Sequence, residues 1–485
     1  MSTETTASLV AAAPPESVFA VLEGDTVTYR EQHARVRATA AALHGLGVQP
    51  GDRVHVSLPN CLEFFDVWFA TAHLGAVLVP TNPHSSTDEF AHFLADAQPR
   101  VSIAAGEAAE ALRALGHPVV APAELTGSAQ EVPAAPVSGE DPAAILYTSG
   151  TTSRPKGVII THANYRAVGE AVADHLSVTN ADRWFIALPL FHANAQYYCT
   201  MSALVRAASI AVAERFSASQ WGVQAARCGA TLGSLFAAPV RMILTNPPSA
   251  GEVRPRAVVF AQNLSDRQAT EFEDRFSTRL VQLYGMTETV LPPTMNPDSA
   301  QRRWDSIGRA LPGVEVELTD EEGNPVADGQ PGEIRVLGTP GTTIAAGYWR
   351  NPEATAETFG SGRLRTGDLA RRDPDGFLYF VDRAKDVIKR SGENVSAGEV
   401  ERVAGEHPAV AECAAVAMPD PVYDEAVLLV VVLAAGASAG AEEIIGWCRD
   451  RLAAFKVPSR VHFLPELPRT SVGKIRKSEI RALVR

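Results

Sequence analysis

Short apolar runs that stop at turn residues alternate along this chain with longer stretches of helical periodicity. Arg53 to Leu58, Ala76 to Pro80 and Ala143 to Tyr147 are of strand length, whereas Tyr29 to Leu46 and Leu62 to Leu74 repeat apolar residues at helical spacing. Strands that alternate with helices pair in parallel and bury both faces under those helices, so the expected class is α/β with parallel sheets. After about Arg302 the texture changes to Gly and Pro punctuation between alternating strands (Val314 to Leu318, Gly332 to Leu337, Phe377 to Val381), which predicts a small β-rich subdomain. A third texture starts near Lys385: helix Ala397 to Gly405, strands Glu412 to Ala417 and Ala426 to Leu433, helix Ala441 to Ala454 and strand Arg460 to Leu464. That is a compact α+β unit of about a hundred residues, a normal size for a separate domain. The expected division is therefore 1–384 and 385–485, with Ala121 to Pro142 as a surface linker.

Several function classes are disfavoured. The longest apolar run, Val427 to Ala435, is of strand length, and Met1 to Glu16 carries neither a basic residue nor an apolar segment, so neither a membrane span nor a secretory signal is expected. Five scattered cysteines without a CxxC spacing fit reduced thiols in a cytoplasmic protein and not a zinc site. A net charge of -13 without a basic block disfavours a nucleic-acid partner. One bias is informative: only six of the 43 basic residues are lysine (Lys156, Lys385, Lys389, Lys456, Lys474 and Lys477). A GC-rich genome accounts for the ratio, but a compact ammonium and a planar guanidinium are not interchangeable, so the surviving lysines mark positions that resist replacement.

Lys156 lies in Tyr147-Thr148-Ser149-Gly150-Thr151-Thr152-Ser153-Arg154-Pro155-Lys156-Gly157-Val158, between two apolar runs. Hydroxyls, backbone N–H groups and one cation in so short a stretch can surround phosphate oxygens. A P-loop NTPase is excluded, because its lysine follows a glycine and here it follows Pro155.

The loop resembles the signature of the AMP-forming adenylating superfamily, which includes acyl-CoA ligases and the adenylation domains of peptide synthetases. Five further segments follow in the family order: Pro189-Leu190-Phe191-His192, Tyr284-Gly285-Met286-Thr287-Glu288-Thr289, Gly347-Tyr348-Trp349 leading to Arg365-Thr366-Gly367-Asp368, Asp382-Arg383-Ala384-Lys385-Asp386, and Pro468-Arg469-Thr470-Ser471-Val472-Gly473-Lys474. The resemblance implies attack of a carboxylate on the α-phosphorus of ATP, then attack of a thiol on the acyl adenylate. It assigns Thr148, Ser149, Gly150, Thr151, Thr152 and Lys156 to the β- and γ-phosphates, Glu288 to Mg2+, Thr287 to the α-phosphate, and Tyr284 with Gly285 to adenine. Asp368, after what reads as a Thr-Gly turn, and Arg383 would hold the ribose. Lys474 would bridge substrate carboxylate and α-phosphate in the first half-reaction. Lys385 would be the hinge of a mobile C-terminal domain, and Gly392 would line the channel for the pantetheine arm of CoA.

For the acyl pocket the same resemblance points to Trp184, Phe191 and His192, the last also placed among the catalytic groups by its motif position, with Phe260, Gln262 and Asn263 opposite. Where many relatives carry two glycines and an alanine, this chain has Phe260-Ala261-Gln262-Asn263-Leu264-Ser265. This departure and Arg302-Arg303-Trp304 resemble the crotonobetaine/carnitine-CoA ligase branch. A quaternary ammonium substrate is not expected, since no acid stands among Phe191 to Tyr198 to complete a cage. Larger side chains at Gln262 and Asn263 favour a small or aromatic acid. The motifs leave three alternatives open: loading of a carrier protein, adenylation of nitrite to diazotise an aromatic amine, and a catalytically silent nucleotide-binding protein.

Overall fold

The computed structural model describes residues 5–22, 24–125, 131–148, 155–249, 251–360, 362–383, 386–390, 393–420, 424–469 and 475–483. The chain divides into two compact units, Met1–Val316 with Val336–Leu364, and Glu317–Arg335 with Arg365–Arg485. The boundary expected at 384/385 falls within the second of these, at residues outside the described set.

The first unit holds two sheets. Among the described residues, one runs in the order Gly347–Tyr348, Lys156–Thr161, Pro142–Thr148, Val77–Pro80, Arg53–Ser57, Val101–Ala104, Val119–Val120. The last five of these strands pair in parallel as expected. The first three do not: Pro142–Thr148 and Lys156–Thr161 form an antiparallel ribbon, and Gly347–Tyr348 adds to it antiparallel. The connection between the two ribbon strands is too short for a crossover helix, which a parallel pair requires. The sheet is therefore mixed.

The second sheet runs Arg309–Ala310, Thr294–Met295, Leu280–Tyr284, Ala257–Ala261, Leu232–Phe236, Arg183–Ile186, Ser209–Val212, Val18–Leu22, Asp25–Thr28. Its six inner strands, Leu280–Tyr284 to Val18–Leu22, are parallel. One of its faces buries Phe185, Leu235, Val258, Phe260 and Leu280 against Trp221, Val240, Phe272 and Phe276 of the covering helices. The helix Leu62–His73 is apolar on most sides because it is buried on most sides. Its Phe65 and Phe69 meet Phe19 of this sheet, and its Trp68 meets Tyr165 of the helix His162–His175, which leaves the other sheet.

The second unit opens on a four-stranded sheet ordered Glu315–Thr319, Gly332–Leu337, Arg363–Arg372, Leu378–Arg383, the β-rich subdomain the punctuation predicts. Beyond it, Asp424–Leu433 pairs antiparallel with Val410–Asp420 and parallel with Arg460–Phe463. This strand is buried on both faces, which explains its unbroken apolar run. Val427, Leu429 and Val431 pack on Val400, Val403 and Ile444 of the helices Ala397–Gly405 and Ala441–Arg449, while Leu428 and Val430 pack on Leu467 and Ile480. The helix expected to reach Ala454 stops at Arg449; Arg451 and Leu452 both donate to the carbonyl of Cys448, and a short 3-10 turn follows at Ala454–Lys456.

Candidate functional site

Parallel strands present their carboxyl ends on one edge, and ligands of open α/β sheets bind there. Four adjacent strands, Arg183–Ile186, Leu232–Phe236, Ala257–Ala261 and Leu280–Tyr284, end on the same edge. The segments that follow them contain Phe191 and His192, then Gln262 and Asn263, then Gly285, Thr287 and Glu288. Residues far apart in sequence are thus assembled along one edge of one sheet.

The ribbon of the other sheet flanks the loop assigned to the phosphates. Thr148 and Lys156 are cross-strand partners at its open end, so the loop between them is a hairpin connection. His92 fixes its return, with Nε2 2.9 Å from the carbonyl oxygen of Pro155, and Tyr147 anchors its start by donating to Asp96 Oδ2 at 2.6 Å. Ser149, Gly150, Thr151 and Thr152 themselves lie outside the described residues.

The segment Gly341–Trp349 joins the two edges. Thr161 Oγ1 donates to the carbonyl of Gly341, and Asn164 Nδ2 donates to those of Thr342 and Ile344. The Ala345 N–H then donates to the carbonyl of Glu288 at 3.0 Å, the Ala346 N–H to that of Ile159 at 3.1 Å, and the Trp349 N–H to that of Gly157 at 2.7 Å. At the centre stands Tyr348. Its hydroxyl donates to Glu288 Oε1 at 2.9 Å, and Lys156 Nζ lies 4.8 Å from its ring centroid. Burial, reinforced by the charge of Glu288, raises the Tyr348 phenol above its ordinary range and keeps it a donor. Glu288 is only 4% exposed. Tyr197, also wholly buried, donates to the carbonyl of Thr287 at 3.3 Å. Thr287–Thr289 forms one 3-10 turn, and Val290 after it has φ +57°, a left-handed conformation that is costly for a β-branched residue.

A buried carboxylate beside the loop assigned to the phosphates suits Mg2+, a hard cation that takes one or two protein carboxylates together with substrate phosphates. Glu288 would hold it. Among the described residues no group of three His, Cys, Asp or Glu gathers into a protein-only metal cage.

The acyl segment is unusual in its backbone. Asn194–Met201, directly after Phe191-His192, is a π-helix of eight residues, all buried. Such wide turns are rare and concentrate at functional sites. Its polar side chains are satisfied internally: Ser234 Oγ donates to Asn194 Oδ1 at 2.7 Å, Tyr165 to Gln196 Oε1 at 2.5 Å, and Gln196 Nε2 to the carbonyl of Leu190 at 2.8 Å. The rings of Phe191 and His192 are 4.4 Å apart and half-buried. Gln262 and Asn263 are exposed at the strand end, held by Gln282 Nε2, and Gln262 has φ +75°. Two of the residues assigned to the pocket sit elsewhere: Trp184 is wholly buried between Ile210 and Leu232 of the neighbouring strands, and Phe260 is packed into the core beside Trp221 and Phe272.

In the second unit Asp368 does not follow a turn. Thr366, Gly367 and Asp368 lie inside the strand Arg363–Arg372, where Gly367 at φ +70° interrupts the pleat. Glu333 accepts the Gly367 N–H at 3.2 Å and pairs with Arg365 at 3.1 Å, which supports the irregularity. The strand setting places Asp368 directly opposite Arg383, and Arg383 Nε is 3.2 Å from Asp368 Oδ1. The two residues assigned to the ribose are therefore neighbours. Lys385, Gly392 and Lys474 lie outside the described residues. The backbone on either side of Lys474 is closed, since Arg469 bridges Ile475 and the Arg476 N–H donates to the carbonyl of Pro468 at 2.8 Å.

Sequence reading gave no role to Tyr348, Tyr197 or His92. Only Tyr348 left a signal, its place in Gly347-Tyr348-Trp349.

Comparison with known proteins agrees with this geometry. The family model described as AMP-binding enzyme matches residues 8–349, and that for the AMP-binding enzyme C-terminal domain matches residues 399–474. A crotonobetaine/carnitine–CoA ligase of Escherichia coli is 36% identical over 479 residues, which cover 94% of this chain and 93% of that protein. The crystal structure of ATP-bound MatB from Rhodopseudomonas palustris superposes with a TM-score of 0.92 at 28% identity, covering 100% of this chain and 99% of that one. The o-succinylbenzoate CoA synthetase MenE from Bacillus subtilis, in complex with its acyl-adenylate intermediate, gives 0.89 at 28% identity, covering 98% of each chain.

Proposed function

The chain belongs to the AMP-binding enzyme family and is an ATP-dependent, AMP-forming ligase acting on a carboxylic acid; from that premise we propose that its acid is small or aromatic and that its acceptor is the thiol of CoA. The observation that carries the site assignment is the Lys156–Tyr348–Glu288 arrangement, a cation and a carboxylate fixed around one ring where two sheet edges meet. In the first half-reaction a carboxylate oxygen bonds to the α-phosphorus and the bond to the β-phosphate oxygen breaks, releasing pyrophosphate. An anion approaches a polyanion, so the chain must supply opposing charge and in-line positioning. Thr148, Ser149, Gly150, Thr151, Thr152 and Lys156 hold the leaving phosphates, and Thr287 and Lys474 contact the α-phosphate. Glu288 would hold Mg2+, which would supply further charge neutralisation when bound. Tyr284 and Gly285 hold adenine, and Asp368 with Arg383 holds ribose. In the second half-reaction the thiol sulfur attacks the acyl carbon, AMP leaves, and the thiol proton passes to solvent. Movement about Lys385 brings Gly392 to the pantetheine arm.

Exposed Gln262 and Asn263 at the end of the strand Ala257–Ala261 support a short pocket, with Phe191 and His192 on its other wall. The five cysteines are free thiols, which supports a cytoplasmic location. ATP–pyrophosphate exchange with a panel of short-chain, long-chain and aromatic acids, amino-aromatic acids and nitrite tests the substrate. CoA offered beside a phosphopantetheinyl carrier tests the acceptor. Exchange with long-chain acids alone, or with nitrite alone, would sink the reading.

A further inference from the structure

Tyr348 touches both charged groups of the phosphate site. Its hydroxyl occupies one lone pair of Glu288 Oε1 at 2.9 Å, and its ring carries Lys156 Nζ at 4.8 Å. Its own position is set by the sheet that also carries the lysine: Tyr348 pairs with Val158, and its N–H donates to Thr355 Oγ1 at 2.9 Å. Phe359 meets its ring edge-on at 5.5 Å. With the ring held this way, the bond from the hydroxyl to Oε1 fixes the orientation of the Glu288 carboxylate. Among the described residues Lys156 forms no ion pair with a carboxylate, so the ring face is where its ammonium rests. A ring quadrupole attracts an ammonium much less than a phosphate does, so the lysine is kept in place without being sequestered.

We propose that Tyr348 is a positioning residue that orients the metal-holding carboxylate with its hydroxyl and the phosphate-contacting lysine with its ring. This inference rests on the reading of Glu288 as the Mg2+ carboxylate. It divides the two functions of one side chain between two variants. Tyr348→Phe keeps the ring and loses the hydroxyl, whereas Tyr348→Leu loses both.

The test is calorimetric ATP binding to the intact protein in EDTA and across a Mg2+ titration, with thermal melting to confirm folding. For Tyr348→Phe, ATP affinity in EDTA stays within about twofold of the parent while the Mg2+ concentration for half-maximal enhancement rises about tenfold, the low end for loss of an outer-shell partner. Tyr348→Leu shows the same Mg2+ shift and a further loss of roughly threefold or more in EDTA, the scale of a lost cation–π contact. A Tyr348→Phe variant with the parent's Mg2+ dependence, beside a Glu288→Gln variant that has lost it, overturns the inference alone. A Glu288→Gln variant that keeps the parent's Mg2+ dependence overturns the reading of Glu288, and this inference with it.

Discussion

Lys477 Nζ lies 2.8 Å from Glu401 Oε1, and this largely buried ion pair joins the final helix, Lys477–Leu483, to the helix Ala397–Gly405. The same Glu401 oxygen accepts the Ala415 N–H at 2.8 Å, and Arg481 of the final helix reaches Asp386 at 2.7 Å. Burial alone would lower the Lys477 pKa, but the charges of Glu401, Asp382 and Asp386 outweigh it and hold the ammonium above the usual lysine range. Removing one member leaves the other as an uncompensated buried charge. Lys477→Met therefore destabilises by about 3–5 kcal/mol, while Lys477→Met with Glu401→Met recovers most of that loss. Calorimetric melting of the parent, the single and the double variant checks the order, and a double variant no more stable than the single contradicts it.

Asp368 and Arg383 make a second testable pair. They face each other across two antiparallel strands, so the ribose assignment is one bidentate feature and not two independent contacts. Asp368→Asn keeps the shape and removes the charge that Arg383 meets and that the proposed function assigns to the ribose hydroxyls. Hydrogen bonds to charged groups contribute about 1.5–3 kcal/mol, so KM for ATP rises roughly tenfold to a hundredfold. The discrimination between ATP and its 2′- and 3′-deoxy analogues shrinks in parallel. An unchanged KM with unchanged discrimination would remove Asp368 from the nucleotide site.

How much of this was legible in the sequence follows from the range of the interactions. The family could be read because the stretch Tyr147 to Val158, the segment Tyr284 to Thr289 and the run ending at Lys474 each carry their pattern in contiguous residues. The central strands could be read because burial on both faces leaves apolar runs such as Val427 to Val431. What could not be read depends on partners far along the chain. The Thr-Gly before Asp368 looks like a turn, and only Glu333, from another strand, stabilises it within a strand. The π-helix at Asn194–Met201 has no local signature, because its polar residues are satisfied by Leu190, Tyr165 and Ser234. The lysine bias carried further than its motifs. Lys456 and Lys477, which the motifs give no chemistry, both pair with the helix Ala397–Gly405, through Glu399 at 2.7 Å and Glu401 at 2.8 Å.

Gln262 offers a test in which stability and function separate. Its φ of +75° is a conformation that glycine adopts without penalty and other L-residues adopt at a cost of about 1–2 kcal/mol. Gln262→Gly relieves that strain but gives the unfolded chain more freedom, so the expected net stabilisation is about 0.5–1 kcal/mol. The same change removes a side chain from the strand end assigned to the acyl pocket. A higher melting temperature together with a broader range of accepted acids in pyrophosphate exchange is the expected outcome. A rise in stability with no change in acid preference would place Gln262 outside the pocket.

The acid limit of the fold is set in part by His55. This residue is wholly buried in the strand Arg53–Ser57, and its two ring nitrogens lie 2.8 Å from Ser102 Oγ and 2.8 Å from Thr81 Oγ1. Burial, assisted by repulsion from His117, lowers its pKa to about 3. The folded-state value lies below the unfolded one, so between the two the unfolded chain binds a proton that the native chain refuses. Stability contributed by the neutral ring is complete above pH of about 6.5 and declines as the pH falls towards 3, by on the order of 4–5 kcal/mol over the whole interval. His55→Gln keeps a polar side chain between the two hydroxyls but cannot titrate. It costs about 1–3 kcal/mol at neutral pH through imperfect hydrogen bonding. Its melting temperature nevertheless falls less steeply than the parent's between neutral pH and pH of about 4, and melting curves collected across that range check the slope. Equal slopes for the two proteins would mean that the acid sensitivity arises elsewhere in the chain.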